Sequence, residues 1–230
     1  MTILFNYPES TVLKRVIPKS RIYAQIGSTK SLKDRFINEV EKITWSYKLA
    51  PETINLPATK TVTEIQVFQI KLKEVKVSDE VLRAVDLAIP FPIIFELLSY
   101  ELIQVAAAHK RPSDANRGKW IVANHLRSEW MPQNTERSSL PLSINMASLY
   151  DQILTELMPI KARDNEDIMA QLERANAILA VEREIKQLES KLKRETQFNL
   201  KVELHGHLKY AQTRLVKLMH QEDLMGMNDG

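Results

Sequence analysis

A lysine and two glutamates close to predicted strands are the residues of this chain best suited to metal-dependent chemistry. Lys60, Glu64 and Gln66 lie where a loop enters a strand, and Glu96 lies on a predicted neighbouring strand. A nuclease of the restriction type needs at least two carboxylates to hold Mg²⁺ and a lysine to support the attacking water. The Asp/Glu-x-Lys spacing is absent, because Gln66 stands where the lysine belongs. The alternative interpretation is that Glu64 is an exposed strand residue.

A basic, turn-rich loop is a candidate for nucleic-acid binding. Its cations can contact phosphates, and the tryptophans of the strand that follows, Trp120 and Trp130, can stack on bases. The alternative is that Trp120 belongs to the core and that the loop is merely solvated. The four cations are Lys110, Arg111, Arg117 and Lys119.

A second excess of positive charge lies near the C-terminus. Residues 190–217 contain seven Lys or Arg against two Glu, which gives this stretch a net charge of +5. Lys193 and Arg194 are therefore further candidates for phosphate contacts. The more common interpretation of such a run is a solvated helix face.

The sequence contains no recognisable motif for a metal, a phosphate group or a cofactor. None of the five histidines forms an H-E-x-x-H arrangement, and His205 and His207 would lie about 200° apart on a helix. With five glycines in the chain, Gly-rich phosphate loops are also absent. We therefore expect neither a bound metal nor a cofactor.

The composition is that of one globular domain with an appendage. The chain has 230 residues, of which 44% are hydrophobic, and its net charge is +3. The absence of cysteine excludes disulfides, thiolate metal sites and a cysteine nucleophile. We recognise neither a secretory signal pattern nor an apolar stretch of 18 residues, so we expect a cytoplasmic protein without a membrane segment.

Periodicity along residues 1–160 predicts an α+β domain with a mostly antiparallel sheet of about four strands and helices packed on one side. Ser10 or Thr11 is expected to cap a short helix that Pro18 stops. The return segment 102–110 is assigned to a hairpin strand, with a helix as the alternative. The further predicted elements are a helix over 32–49, a strand over 63–73, a helix after Ser78, strands over 93–98 and 119–130, and an amphipathic helix from Met146 to Leu157.

Residues 164–220 are predicted to form a C-terminal coiled coil, and residues 221–230 a disordered tail. Two apolar stripes about 120° out of line predict either a hairpin bent near residues 196–199 or one helix with two faces, and the lack of Gly and Pro favours one helix. A long stripe needs burial, which favours a homodimer over a tail folded back on its own domain. The expected interface residues are Ile178, Val181, Ile185, Leu188, Leu192, Leu204, Leu208 and Leu215.

Short segments over nearly the whole chain carry a family resemblance. They are LFNYP (4–8), VIPK (16–19), YKLAPETINLPATK (47–60), EIQVF (64–68), AIPFPIIFE (88–96), HKRPS (109–113) and QFNLKVE (197–203). In these segments the chain resembles a bacterial family known as domain of unknown function 4391. The resemblance implies a companion of helicases, methyltransferases and restriction-type genes on mobile or defence loci, and it brings no catalytic residues with it.

Together these observations predict a non-enzymatic accessory protein. We expect it to dimerise through its C-terminal helices and to bind a partner protein, such as a helicase or methyltransferase, or nucleic acid. The expected setting is a bacterial DNA-processing or phage-defence system. A divergent metal-dependent nuclease and an RNA- or DNA-binding module are the two alternatives.

Overall fold

A computed structural model describes residues 3–113 and 120–220. The chain divides into two compact units, Met1–Leu157 and Met158–Gly230. A 3₁₀ turn over Glu9–Thr11 precedes the second strand of the first unit. In chain order the elements of the first unit are β1 (Phe5–Asn6), β2 (Val12–Val16), α1 (Lys19–Ile26), α2 (Lys30–Glu39), β3 (Val40–Leu49), α3 (Pro51–Ile54), β4 (Ile65–Leu72), α4 (Asp79–Ala88), β5 (Ile93–Ser99), β6 (Leu102–Ala107), β7 (Lys110–Pro112), β8 (Trp120–Val122), β9 (Leu126–Arg127), β10 (Met131–Pro132), β11 (Ser138–Ser139) and α5 (Met146–Leu157).

The first unit is α+β, as predicted, but its main sheet is mixed and larger than expected. Within the described residues this sheet has seven strands in the order β10-β6-β5-β4-β3-β2, with β9 paired to β6. The strands β4 and β5 run parallel, whereas the other pairs are antiparallel. The helix α4 between β4 and β5 returns the chain to the same end of the sheet, which a parallel pair requires.

The helix predicted over residues 32–49 is wrong in its second half. Thr29 caps α2 by accepting a hydrogen bond from the backbone N–H of Leu32 at 3.3 Å, and this helix ends at Glu39. The chain then continues directly as β3, which lies between β2 and β4. The β-branched and aromatic side chains of β3 suit a strand that is paired on both sides.

The sheet is covered on both faces at its centre, and not on one side as predicted. Residues 65–68 of β4 are all buried, so both of its faces pack against other parts of the unit. On one face Phe68 and Phe95 pack with Phe36 of α2 and Val81 of α4. The apolar residues of β4 change phase between Val67 and Phe68 because both faces are buried, and one of the two register shifts in β3 lies opposite this point, between Trp45 and Tyr47.

Two further sequence predictions are corrected, and the predicted strands over 63–73 and 93–98 are present as β4 and β5. Residues 12–16 form a strand rather than a helix, because they pair with β3, and the stretch 119–130 is divided between β8 and β9. The helix after Ser78, the return strand after residue 101 and the helix from Met146 to Leu157 are present as α4, β6 and α5.

The second unit is a helical hairpin formed by α6 (Ile168–Arg194) and α7 (Phe198–Met219). The preference for one continuous helix is therefore wrong, and the hairpin alternative is correct. Glu195 explains the break, because its carboxylate accepts hydrogen bonds from the backbone N–H groups of Thr196 and Gln197, both at 2.8 Å. In the described part of the chain no helix has the length and apolarity to cross a membrane.

Candidate functional site

The structure does not bring together all four residues that were predicted as a nuclease-like site. Glu96 lies on β5 opposite Gln69, and its side chain is buried and accepts two hydrogen bonds from Arg137, at 2.7 and 3.2 Å. Gln69 donates a third hydrogen bond to the same carboxylate at 2.9 Å. Glu96 thus belongs to a closed, charge-assisted network, and Lys60 is exposed outside the cleft described next.

Glu64 and Gln66 do come together, in a cleft on the opposite face of the sheet. The cleft has a volume of about 640 Å³ and lies between α1, the strands β3 and β4, and the turn that follows α4. Its apolar lining includes Trp45 and Phe68, whose rings are parallel within 2° with their centroids 6.2 Å apart. Its polar lining consists of Arg21, Gln25, Lys48, Glu64 and Gln66.

Lys48 is one of three polar residues of this cleft that the sequence did not predict, and the other two are Arg21 and Gln25. Lys48 pairs with Gln66 across β3 and β4, and its ammonium lies 2.6 Å from Glu52 and 3.4 Å from Glu64. The hydrogen bond to Glu52 raises the pKa of Lys48 and lowers the pKa of Glu52. Gln66 donates a further hydrogen bond to Glu64. Lys48 stood inside the predicted 32–49 helix, so no strand-to-strand pairing with Gln66 was expected.

This arrangement differs from a two-carboxylate magnesium site. The two carboxylates near Lys48 already share a cation, and Gln66 stands where a restriction-type nuclease has a lysine. Over the residues with described structure, no three His, Asp or Glu side chains are grouped so that they could hold a metal ion. The polar end of the cleft is therefore suited to hydrogen-bonding a ligand rather than to chelating a cation.

Lys110 is not a surface residue, which corrects its prediction as a phosphate contact. Its side chain is fully buried, and its ammonium donates hydrogen bonds to the backbone carbonyls of Asp86, Ile89 and Phe91. It also lies 5.4 Å from the centre of the Trp120 ring, in a cation–π arrangement. Burial lowers the pKa of Lys110 to about 8, although the nearby Asp86 carboxylate opposes this shift.

The same buried cluster positions one wall of the cleft. Asp86, at the end of α4, is joined to His125 by a hydrogen bond of 2.7 Å between Oδ2 and Nε2. Lys110 binds the carbonyls of Ile89 and Phe91, and both of these residues line the cleft. Of the other predicted loop residues, Arg111 lies half-buried on β7, whereas Arg117 and Lys119 fall outside the described residues.

The predicted oligomer interface lies largely inside the hairpin of one chain. The predicted residues Val181 and Leu188 are buried together with Ala211 in the core of the hairpin, and side chains from both helices pack around them. Ile178 is also buried on α6, and Leu192 is half-buried. Contacts between two copies stay a prediction. The partly buried residues around the hairpin core are Ile185, Leu204, Leu208, Leu215 and Leu218.

The turn end of the hairpin is mixed in charge. Lys193 and Arg194, the predicted phosphate contacts, are exposed in the last turn of α6. Arg194 lines a depression of about 400 Å³ that also contains Glu195 and Glu203. The two carboxylates reduce the attraction of this end for a phosphate group.

A second face of α7 remains exposed although it is partly apolar. Its residues follow one another at alternating spacings of four and three, about 110° around the helix from the stripe that packs on α6. Phe198 is 78% exposed and Val202 is 57% exposed. We call this surface the outer face of α7, and its residues are Phe198, Val202, His205, Lys209, Gln212, Val216 and Met219.

Comparison with known proteins gives one match. Residues 5–215, which make up most of the chain, match the model of a family described as Domain of unknown function (DUF4391). No curated protein and no solved structure matches the chain.

Proposed function

We propose that this chain, which belongs to the family described as Domain of unknown function (DUF4391), is a non-enzymatic interaction protein. The outer face of α7 binds an acidic, amphipathic helix of a partner protein. The observation that carries this proposal is the exposure of Phe198 and Val202 on a helix whose other apolar stripe is already packed within the hairpin.

The outer face has the pattern of a helix that packs against another helix. Its spacing of four and three residues is the repeat of a two-helix seam. Phe198 and Val202 occupy one end of the face, and Val216 and Met219 the other. Burial of one such side chain contributes roughly 1.5–3 kcal/mol, so the face offers enough apolar surface for a specific helical partner.

The charges of the outer face favour an acidic partner over a second copy of the chain. Lys209 lies within the face and Lys201 beside it, whereas Glu203, the acidic residue of α7, lies about 150° around the helix. Two such faces would bring lysines against lysines, while an acidic helix would pair with them. The exposed apolar side chains favour a protein over nucleic acid, whose backbone presents mainly phosphates.

Site-specific photo-crosslinking tests the proposal in cells. A photoreactive amino acid at Val202 is expected to form an adduct with one other protein, within an acidic segment that peptide mapping identifies. The same group at Gln187, an exposed position of α6, is the matched control and is expected to give no such adduct. Replacing both Lys201→Glu and Lys209→Glu is expected to abolish the adduct at Val202.

Three other outcomes would contradict the proposal. An adduct with a second copy of the chain would support the homodimer predicted from the sequence. An adduct with nucleic acid would support a binding module for RNA or DNA. Equal adducts from Val202 and Gln187, or none from either, would remove the outer face of α7 as the binding surface. A helicase or methyltransferase encoded beside this protein is the first partner to look for, as the family resemblance implies.

A further inference from the structure

We propose, independently of the function of the hairpin, that the cleft beside α1 binds a mononucleotide whose base carries an exocyclic amino group. The cleft lies entirely within the first unit, between residues 17 and 91. Its size, its aromatic lining and the position of its polar groups suit this ligand.

The size and lining of the cleft suit a planar aromatic ligand. Its volume of about 640 Å³ falls in the range of small-molecule sites, roughly 300–1,000 Å³. Three aromatic side chains, Trp45, Phe68 and Phe91, contribute to the lining, and the first two form an offset pair of parallel rings. Phe68 is buried, so the ring of this pair that is open to a nucleobase is the half-buried Trp45, and every base has a face that stacks on aromatic rings.

The polar end of the cleft presents acceptors for an amino group. Glu64 is partly exposed, with 14% of its side chain accessible, and Gln66 is 4% exposed. Gln66 and Lys48 orient the Glu64 carboxylate, which keeps further lone pairs for a ligand. A carboxylate accepts hydrogen bonds from the amino group of a base, as in the contact between glutamate and cytosine.

The phosphate is assigned to Arg21. This residue is exposed on α1 and lines the cleft together with Gln25. Lys48 is already paired with Glu52 and Glu64, so Arg21 is the lining cation better placed to bind an incoming anion. A guanidinium binds a phosphate through two parallel hydrogen bonds, which an ammonium cannot match in geometry.

The opposite wall is fixed before a ligand arrives. Lys110 binds the carbonyls of Ile89 and Phe91 from beneath the cleft, and Asp86 and His125 complete the buried cluster. A wall held in this way loses little conformational freedom when a ligand binds, which increases affinity.

Isothermal titration calorimetry with AMP, CMP, UMP and adenosine tests the site on the full chain. AMP or CMP is expected to bind with a dissociation constant below about 1 mM. UMP lacks the amino group and is expected to bind about tenfold more weakly, the effect of one lost charge-assisted hydrogen bond. Glu64→Gln is expected to remove the difference between CMP and UMP. Arg21→Gln is expected to weaken AMP binding and to leave adenosine binding unchanged.

The control and the contrary outcomes are equally specific. Glu41→Gln removes an exposed carboxylate that pairs with Lys71 on the same sheet outside the cleft, and it is expected to leave all four affinities unchanged. Thermal unfolding of each variant verifies that it is folded. The proposal is overturned if neither AMP nor CMP binds with a dissociation constant below about 1 mM. It is also overturned if CMP and UMP bind equally to the unaltered chain.

Discussion

Lys110 has a structural role that its position in a basic segment does not indicate. Its ammonium is buried and binds three backbone carbonyls, including those of Ile89 and Phe91 in the cleft wall. Lys110→Met keeps most of the apolar part of the side chain but leaves these three carbonyls without their donor and removes the ammonium that lies 3.7 Å from the Asp86 carboxylate. We expect the free energy of unfolding to fall by about 3 kcal/mol, the usual cost of removing one member of a buried pair, measured by urea denaturation at pH 7.

A matched exposed lysine and the pH dependence make this prediction specific. Lys71→Met, which breaks an exposed pair with Glu41, is expected to change stability by less than about 1 kcal/mol. The pKa of Lys110 falls from 10.5 to about 8 on folding, so the unfolded chain binds the proton more tightly. The free energy of unfolding of the unaltered chain should therefore rise between about pH 8 and 10.5, and Lys110→Met should lack this rise. Equal effects of both substitutions would show that Lys110 is not buried.

At the residue scale, the sequence predicted the parts of the site that depend on local spacing. Glu64 and Gln66 were singled out for their side-chain chemistry where a loop enters a strand, and both line the same cleft. Lys48 was missed because its position opposite Gln66 depends on pairing between strands. Glu96 was grouped with Glu64 because it lies on a predicted neighbouring strand. Alternation within one strand does not show that these two carboxylates lie on opposite faces of the sheet. The burial of Lys110 depends on contacts with residues about 20 positions away in the sequence, and a local sequence pattern does not indicate such contacts.

At the scale of elements, a charged network closes the open end of the α6–α7 hairpin. Arg174 binds Glu166 through two hydrogen bonds, of 2.7 and 2.6 Å, and Arg163 donates to the last carbonyls of α7. The hydrogen bond from Arg174 lowers the pKa of Glu166 to about 2 from its usual 4.5. Because the folded pKa is the lower one, this contribution to stability is complete above about pH 4.5 and is lost as the pH falls towards 2.

Hydrogen exchange measured along α7 should report this loss directly. Between pH 5 and 2, protection of the amides near Leu218 is expected to fall in the unaltered chain. In Glu166→Gln the protection should be lower at pH 5 already and should depend less on pH over the same range. Glu184→Gln, which breaks the exposed pair with Arg214 in the middle of the hairpin, serves as the control and should keep the unaltered pH profile. An identical profile for Glu166→Gln would show that the network does not hold the hairpin closed.

The elements that were predicted correctly are those in which contacts with the rest of the fold agree with the local preference of the sequence for helix or strand. The helix α4 follows Ser78 and has Asp79 and Glu80 in its first turn, so charge and periodicity agree, although the Ser78 hydroxyl donates to Glu39 instead of capping the helix. In β3, by contrast, apolar spacings compatible with a helix coexist with β-branched and aromatic residues, and pairing with two neighbouring strands decides the outcome. The hairpin was only the second choice because its turn contains neither Gly nor Pro, and Glu195 accepts hydrogen bonds from the backbone N–H groups there.

For the whole molecule, the order of the strands was the feature least accessible to sequence reasoning. The parallel pair β4–β5 and the addition of β9 and β10 to β6 depend on connections that alternation within single strands does not specify. The division into a sheet unit and a helical unit was more accessible, because periodicity changes near residue 160. The observed boundary lies between Leu157 and Met158.

The final prediction is that residues 1–157 fold without the hairpin. This unit contains all the strands of the described chain and its own apolar core, which includes Phe36, Phe68 and Phe95. A core of this kind is enough for cooperative folding of a domain of this length. The isolated segment should therefore unfold in a single urea transition, bind AMP or CMP as the full chain does, and form no partner adducts. Loss of the cooperative transition in the isolated segment, with the full chain intact, would show that the first unit requires residues 158–230 for its stability.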